Sequence, residues 1–141
     1  MISIPDTKVF CDTSFFYASI DPKDENHDKA KEITEALDKN NIALYCTKAI
    51  IFETITLLRY RFSYDGALKF IKEVKPKLNI VQFDENLYSR VDFWFEKLSK
   101  DKKLSYCDII SYVAVREILG DISCVSFDHD FKTLGLNMLS F

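Results

Sequence analysis

Lys8-Val9-Phe10-Cys11-Asp12-Thr13-Ser14 is the stretch on which the fold reading turns. A short apolar run ends in an acid and two hydroxyl residues, the pattern of a buried strand running into a capped helix start, here continued by Phe15-Phe16-Tyr17-Ala18. The arrangement recurs near the other end, where the strand Ile122-Ser123-Cys124-Val125-Ser126-Phe127 meets Asp128 and a short helical turn to Thr133. Working inward from the first copy, Asp28 to Lys39 carries Ala30, Ile33 and Leu37 on one helical face and is stopped by Asn40-Asn41. Ile42 to Cys46 is a second strand. Lys48 to Phe62 repeats Ile51, Ile55, Leu58 and Phe62 at helical spacing, and Tyr64 to Lys75 is a further helix broken by Pro76. Asn79 to Phe83 is a third strand, Asp84 caps a helix bearing Leu87, Val91, Trp94 and Leu98, and Ser99 to Lys103 is a charged loop. Ser105 to Leu119 is a helix, and Leu136 to Phe141 a last strand. Alternating strands and helices give an α/β fold: three α/β/α layers around a central, mainly parallel, five-stranded sheet. In such sheets ligands bind beyond the carboxyl ends of the strands, where Asp12 and Asp128 both fall.

Composition agrees with one globular domain spanning residues 1–141. The chain is 48% hydrophobic and 29% charged, which excludes disorder, coiled coil and collagen. With only three Gly and three Pro there is little material for linkers or long loops. A net charge of −3 argues against coating nucleic acid or membrane through bulk electrostatics. Apolar runs such as Ala49 to Phe52 are too short to span a bilayer, and no signal-peptide order precedes the first strand, so a cytoplasmic protein with no membrane partner is expected. Cys11, Cys46, Cys107 and Cys124 form no C-x-x-C pair and are expected to be small buried hydrophobes.

Four carboxylates stand where acids are conspicuous. Asp12 and Asp128 each follow a strand, although a helix cap or turn explains either one taken singly. Glu53 is the only ionisable residue between Lys48 and Arg59 in a segment, Ala49 to Leu58, expected to be largely buried. An unpaired carboxylate there would be costly to desolvate, which favours a shared polar site over a partly exposed edge position or an ion pair with Lys48 or Arg59. Asp108 lies three residues after Ser105, so a capping box accounts for it as readily as function does. If all four meet, each close pair at ~4 Å repels by about 4 kcal/mol at an effective dielectric of ~20, and a cation is required. Hard oxygen ligands favour Mg²⁺ or Mn²⁺, ions that can activate water and stabilise the leaving oxygen in phosphoryl displacement.

With these residues in view, the sequence resembles the PIN-domain ribonucleases, and more narrowly the VapC-type toxins of type II toxin–antitoxin systems. The resemblance runs over nearly the whole chain through four anchors: Val9 to Ser14, Ile51 to Leu58 around Glu53, Leu104 to Tyr112 around Asp108, and Val125 to Phe131 around Asp128. It implies a three-layer domain and a Mg²⁺- or Mn²⁺-dependent endoribonuclease that cuts single-stranded or looped RNA. It also implies a small antitoxin protein as partner, and a homodimer. Asp12 and Asp108 would be the main metal ligands, Asp128 would complete the shell, and Glu53 would orient or deprotonate the attacking water. Ser14 and Ser126 would hold the cluster in place as hydroxyl partners, and Asp130 is an alternative to Asp128 for the fourth acid.

Other residues are given plainer roles. His129, on a short turn, and His27, in a charged segment, are expected at the surface. Lys69, Lys72, Lys75 and Lys77, with Arg59 and Arg61, would supply local basic surface for RNA, although the lysine stripe reads first as the solvated face of a helix. Phe15-Phe16-Tyr17 and Phe93-Trp94-Phe95 should each expose a ring, for a homodimer surface or an antitoxin groove, or as ordinary core with one exposed member. Two further readings compete with the nuclease. One is a non-toxin or non-catalytic PIN-like module that processes, binds or scaffolds RNA. The other is a receiver-type phosphoacceptor centred on Asp84, disfavoured because Thr13-Ser14 follow Asp12 where a second acid belongs.

Overall fold

A computed structural model describes Ile4 and residues 7–140. The order of elements is β1 (Lys8–Cys11), α1 (Thr13–Ile20), α2 (His27–Lys39), β2 (Ala43–Thr47), α3 (Lys48–Leu57), α4 (Tyr64–Lys69), β3 (Asn79–Val81), α5 (Glu85–Leu98), α6 (Tyr106–Val113), β4 (Ser123–Val125) and α7 (His129–Thr133). Helices α3, α4 and α6 each run on into a π-helical turn, at Leu58–Phe62, Phe70–Val74 and Ala114–Ile118. Pro76 stands in a 3₁₀ turn, Lys75–Lys77, that ends the α4 segment where a residue without an N–H is tolerated. Asn41, with φ of 52°, turns the chain out of α2 in the left-handed conformation that Asn accepts more readily than most residues.

The sheet is parallel throughout, in the order β3-β2-β1-β4. Strand β1 is therefore central, and Val9, Phe10 and Cys11 are fully buried on both faces, as an apolar strand of a parallel sheet must be. Helix α1 packs on both α2 and α3, and α5 packs on α6. Right-handed crossovers put the first group on one face of the sheet, because β1, β2 and β3 step in one direction, and the second on the other, because the chain then returns across β1 to β4.

The described sheet has four strands where five were expected. The segment after Gly135 meets β4 through one isolated parallel bridge, Cys124 to Met138, held by Cys124 N–H to the Asn137 carbonyl (2.7 Å) and Leu139 N–H to the Cys124 carbonyl (2.8 Å). Its buried residues are Leu136 and Leu139, three apart, which breaks the two-residue alternation of a strand. Phe141, the last residue of the expected strand, lies outside the described residues. Among those residues no helix is long and apolar enough to cross a membrane.

Burial corrects two expectations. Helix α3 is not apolar all round in its setting: Ile50, Ile51 and Thr54 face the core, while Phe52, Glu53 and Thr56 are exposed. In the first aromatic set no ring is exposed, since Phe15 and Phe16 are core residues and Tyr17 is half-buried; Phe93 and Phe95 of the second set do reach solvent. His27 also departs from a free surface position, because its Nδ1 lies 2.7 Å from the Ala18 carbonyl and ties α2 to α1.

Candidate functional site

The strand order reverses at β1, between β2 on one side and β4 on the other, and the crevice beyond the carboxyl ends of β1 and β4 is where an α/β sheet of this kind places a ligand. Cys11 pairs with Val125 in the last register position, and the Asp12 N–H donates to the Val125 carbonyl at 3.1 Å. Asp12 then caps α1 from an extended conformation. Its Oδ2 accepts from the Ser126 hydroxyl at 2.8 Å and from the Ser14 hydroxyl at 3.0 Å. Each hydroxyl in turn accepts a backbone N–H at 2.9 Å, Ser14 Oγ from Phe127 and Ser126 Oγ from Asp128. The two hydroxyl oxygens also lie 3.1 Å apart, so Ser14, Ser126 and the Asp12 carboxylate form one hydrogen-bond network. The pair fixes the orientation of Asp12 and ties β1 to the segment after β4.

Asp12, Ser14, Glu53, Asp108 and Asp128 all line one cavity of about 440 Å³ at this edge. Asp108 is delivered by α6 through the expected capping box, in which it accepts from Ser105 N–H and donates its own N–H to Ser105 Oγ, both at 3.0 Å. Asp128 caps α7 and accepts from Asp130 N–H at 2.9 Å. Capping and cavity lining thus coexist in the same residues. Glu53 stands exposed on the α3 wall, where it acts electrostatically on the Cys107 thiol. Cys107 is half-buried, unlike Cys11, Cys46 and Cys124, and so departs from the expected buried hydrophobe. Asp130 and His129 are not part of the cavity lining.

The electrostatics are those of an acid cluster at a low-dielectric edge. Burial is the main cause that raises Asp12 to about 6; the ionised Asp128 adds to it, and the bonds from Ser126, Thr13 and Ser14 oppose it. Asp108 is raised for the same first reason, with Asp128 and Asp130 adding to the effect and its bonds with Ser105 opposing it. Burial and then Asp128 raise Asp130, which couples electrostatically to the cluster without lining the cavity. Burial, and after it the neighbouring Glu53, push the Cys107 thiol up, which keeps it protonated.

Tyr17, Asp24, Asn26, Leu57 and Arg61 also line the cavity, and none was singled out for the site from the sequence. Tyr17 and Leu57 carried only the signal of core residues. Asp24 and Asn26 sit in the loop after α1, where Asp24 accepts from Asn26 N–H at 2.8 Å, and a charged loop gives no spacing from which to infer a site. Among the described residues no three His, Cys, Asp or Glu side chains are grouped so as to hold an ion. The donor set nonetheless suits Mg²⁺ or Mn²⁺, because its carboxylate oxygens are hard ligands. Mg²⁺ keeps several waters and binds through one or two carboxylates together with substrate phosphates, so it needs no closed protein cage.

Comparison with known proteins agrees with this architecture. The family model for the PIN domain matches residues 9–136. Among solved structures, VapC20 of Mycobacterium tuberculosis, described as a sarcin-ricin loop cleaving toxin, superposes with a TM-score of 0.77 at 22% identity, covering 91% of this chain and 95% of that one. FitAcB of Neisseria gonorrhoeae gives 0.66 at 11% identity, covering 94% and 96%. VapBC2 of Rickettsia felis, solved bound to a DNA fragment from its promoter, gives 0.63 at 16% identity, covering 94% and 97%. No curated protein matches the chain. At these identities the structures speak for the fold, and the family model speaks for descent: the chain belongs to the PIN domain family.

Proposed function

We propose that the chain is an endoribonuclease that hydrolyses RNA phosphodiester bonds with Mg²⁺ or Mn²⁺, and that it is the toxin of a toxin–antitoxin pair. The observation that carries this reading is the presence of Asp12, Glu53, Asp108 and Asp128 on one cavity at the switch point of a PIN domain. Asp12 and Asp108 are assigned to hold the cation, with Asp128 completing its surroundings. A bound divalent ion polarises a phosphate oxygen and lowers the pKa of water, which is the chemistry that phosphodiester hydrolysis needs. Glu53, at the exposed wall of the cavity, orients the attacking water and accepts its proton. Ser14 and Ser126 hold Asp12 in one orientation, so its free carboxylate edge need not reorganise when the ion or substrate arrives. An ionised, buried Asp12 is costly in the empty site, and a cation offsets that cost.

The toxin assignment is supported by the similarity to VapC20, described as a toxin. A small antitoxin is the proposed protein partner. A groove of about 260 Å³ lined by Phe15, Phe16, Ile20, Leu37, Leu44 and Val74 offers an apolar seat for a segment of it. The exposed Phe93 and Phe95 of α5 are the proposed homodimer face. Incubating the chain with looped and unstructured RNA and Mn²⁺ tests the reading. Internal cleavage that chelation abolishes is expected, together with growth arrest when the chain alone is induced in a bacterium. Equal cleavage by Asp12→Asn and Asp108→Asn would contradict the mechanism. The non-catalytic scaffold reading, which the lack of a grouped ligand set favours, predicts no RNA cleavage under any divalent ion.

A further inference from the structure

Glu53, Leu57 and Arg61 line the cavity at four-residue intervals. In an unbroken α-helix, Arg61 would lie about 80° round from Glu53, since eight residues advance two turns and ~80° more. Here α3 widens into the turn Leu58–Phe62, closed by Ser63 N–H to the Leu58 carbonyl at 2.8 Å. The smaller rotation per residue in that turn brings Arg61 back over the same wall. Among the described residues Arg61 is the only cation in a lining that holds five carboxylates, those of Asp12, Asp24, Glu53, Asp108 and Asp128. It nevertheless makes no ion pair or hydrogen bond with a described residue.

One residue earlier at each step runs a second stripe, Lys48, Phe52, Thr56 and Tyr60, exposed along its length. Phe52 is 64% and Tyr60 82% exposed, and neither ring stacks on, or bonds to, a described residue. Arg59 is exposed beside Tyr60. Bare rings set among cations, with no acid in the stripe, are complementary to a polyanion whose units carry flat π faces.

We propose that this helix is the docking track for a single-stranded RNA segment: Arg61 clamps a phosphate beside the one that is cut, and Tyr60 and Phe52 stack the flanking bases. The proposal rests on the nuclease reading and adds to it the surface and the residues that seat the strand. A guanidinium grips phosphate with a planar fork, and an aromatic ring accepts any base, so the track selects unpaired strands with little regard to sequence. Paired RNA keeps its base faces stacked inside the helix and cannot use it. A second copy of the chain is the competing occupant of the aromatic stripe, and it would have no need of Arg61.

The test measures binding of a fluorescent, unstructured oligoribonucleotide of about ten nucleotides by anisotropy, across a salt series, to the full chain carrying Asp12→Asn so that the strand is not cut. Adding Tyr60→Ala or Phe52→Ala is expected to weaken binding about tenfold. Arg61→Ala should weaken it and reduce the slope of log affinity against log salt by about 1, while Arg61→Lys keeps the slope. A duplex of equal length should bind less tightly than the single strand. Affinities unchanged in all three alanine variants, with melting curves intact, would overturn the proposal. So would sedimentation in which Phe52→Ala and Tyr60→Ala turn a dimer into monomers at constant RNA affinity. If wild type cuts RNA while the variants bind as their parent does, docking fails and the nuclease reading stands. If the variants lose binding but wild type never cuts with Mn²⁺, the track holds and the nuclease reading fails.

Discussion

Ser126 donates its hydroxyl proton to Asp12 Oδ2 at 2.8 Å, joining residues 114 positions apart at the point where the strand order reverses. The bond is possible because β1 and β4 are neighbours in register up to Cys11 and Val125, so the next residue of each strand arrives at the same edge. It favours the charged form of Asp12 against the burial that disfavours it.

Removing that hydroxyl should therefore move a titration. In Ser126→Ala, Asp12 loses one of its two hydroxyl donors, and its pKa should rise above its value of about 6. The acid limb of the pH–rate profile for RNA cleavage is expected to shift upward, with a stability loss of about 1 kcal/mol. Ser126→Thr, which restores the donor, should return the limb to its place. An unchanged limb in the alanine variant would separate the serine from the chemistry.

Asp12 should also burden the metal-free fold. A carboxyl whose folded pKa is raised from 3.8 to about 6 is protonated in both states at low pH and carries no penalty there. The penalty grows as pH rises through that window and is complete above it, at about 2–3 kcal/mol. Asp12→Asn should melt several degrees above wild type at about pH 8 in chelator, with the gap closing as pH falls toward 4. A gap that does not vary with pH would contradict this assignment of the burial cost.

Asp108 serves both a cap and the cavity, and two substitutions separate these roles. Asp108→Ala removes the acceptor for Ser105 N–H and should cost about 1 kcal/mol in thermal or urea unfolding. Asp108→Asn keeps an acceptor oxygen and should keep most of that stability while losing metal-dependent cleavage. Equal stability in the two variants would mean that the capping box contributes little.

Much of this architecture could be read from the sequence, in physically intelligible parts. Strand β1 and Asp12 were legible because a buried strand of a parallel sheet is a continuous apolar run and the cap after it must be polar. Glu53 was selected from a premise the structure corrects: the apolar composition of α3 implied burial all round, yet Phe52 and Glu53 face solvent. Composition counts apolar residues without saying which have neighbours. The last strand was overread, because Leu136 and Leu139 supply β-like hydrophobicity with helical spacing. Arg61 carried only the signal of a surface cation, since its place on the wall depends on a π turn that leaves no mark in a 3.6-residue period.

The claim beneath the whole account is that Asp12, Glu53, Asp108 and Asp128 act together on one divalent ion or pair of ions. Titrating the metal-free chain with Mn²⁺ by calorimetry tests it most directly. Saturable binding in wild type, lost in both Asp12→Asn and Asp108→Asn although each remains folded, is the expected result. Binding of equal strength in wild type and the two variants, or no binding in any of them, would contradict it.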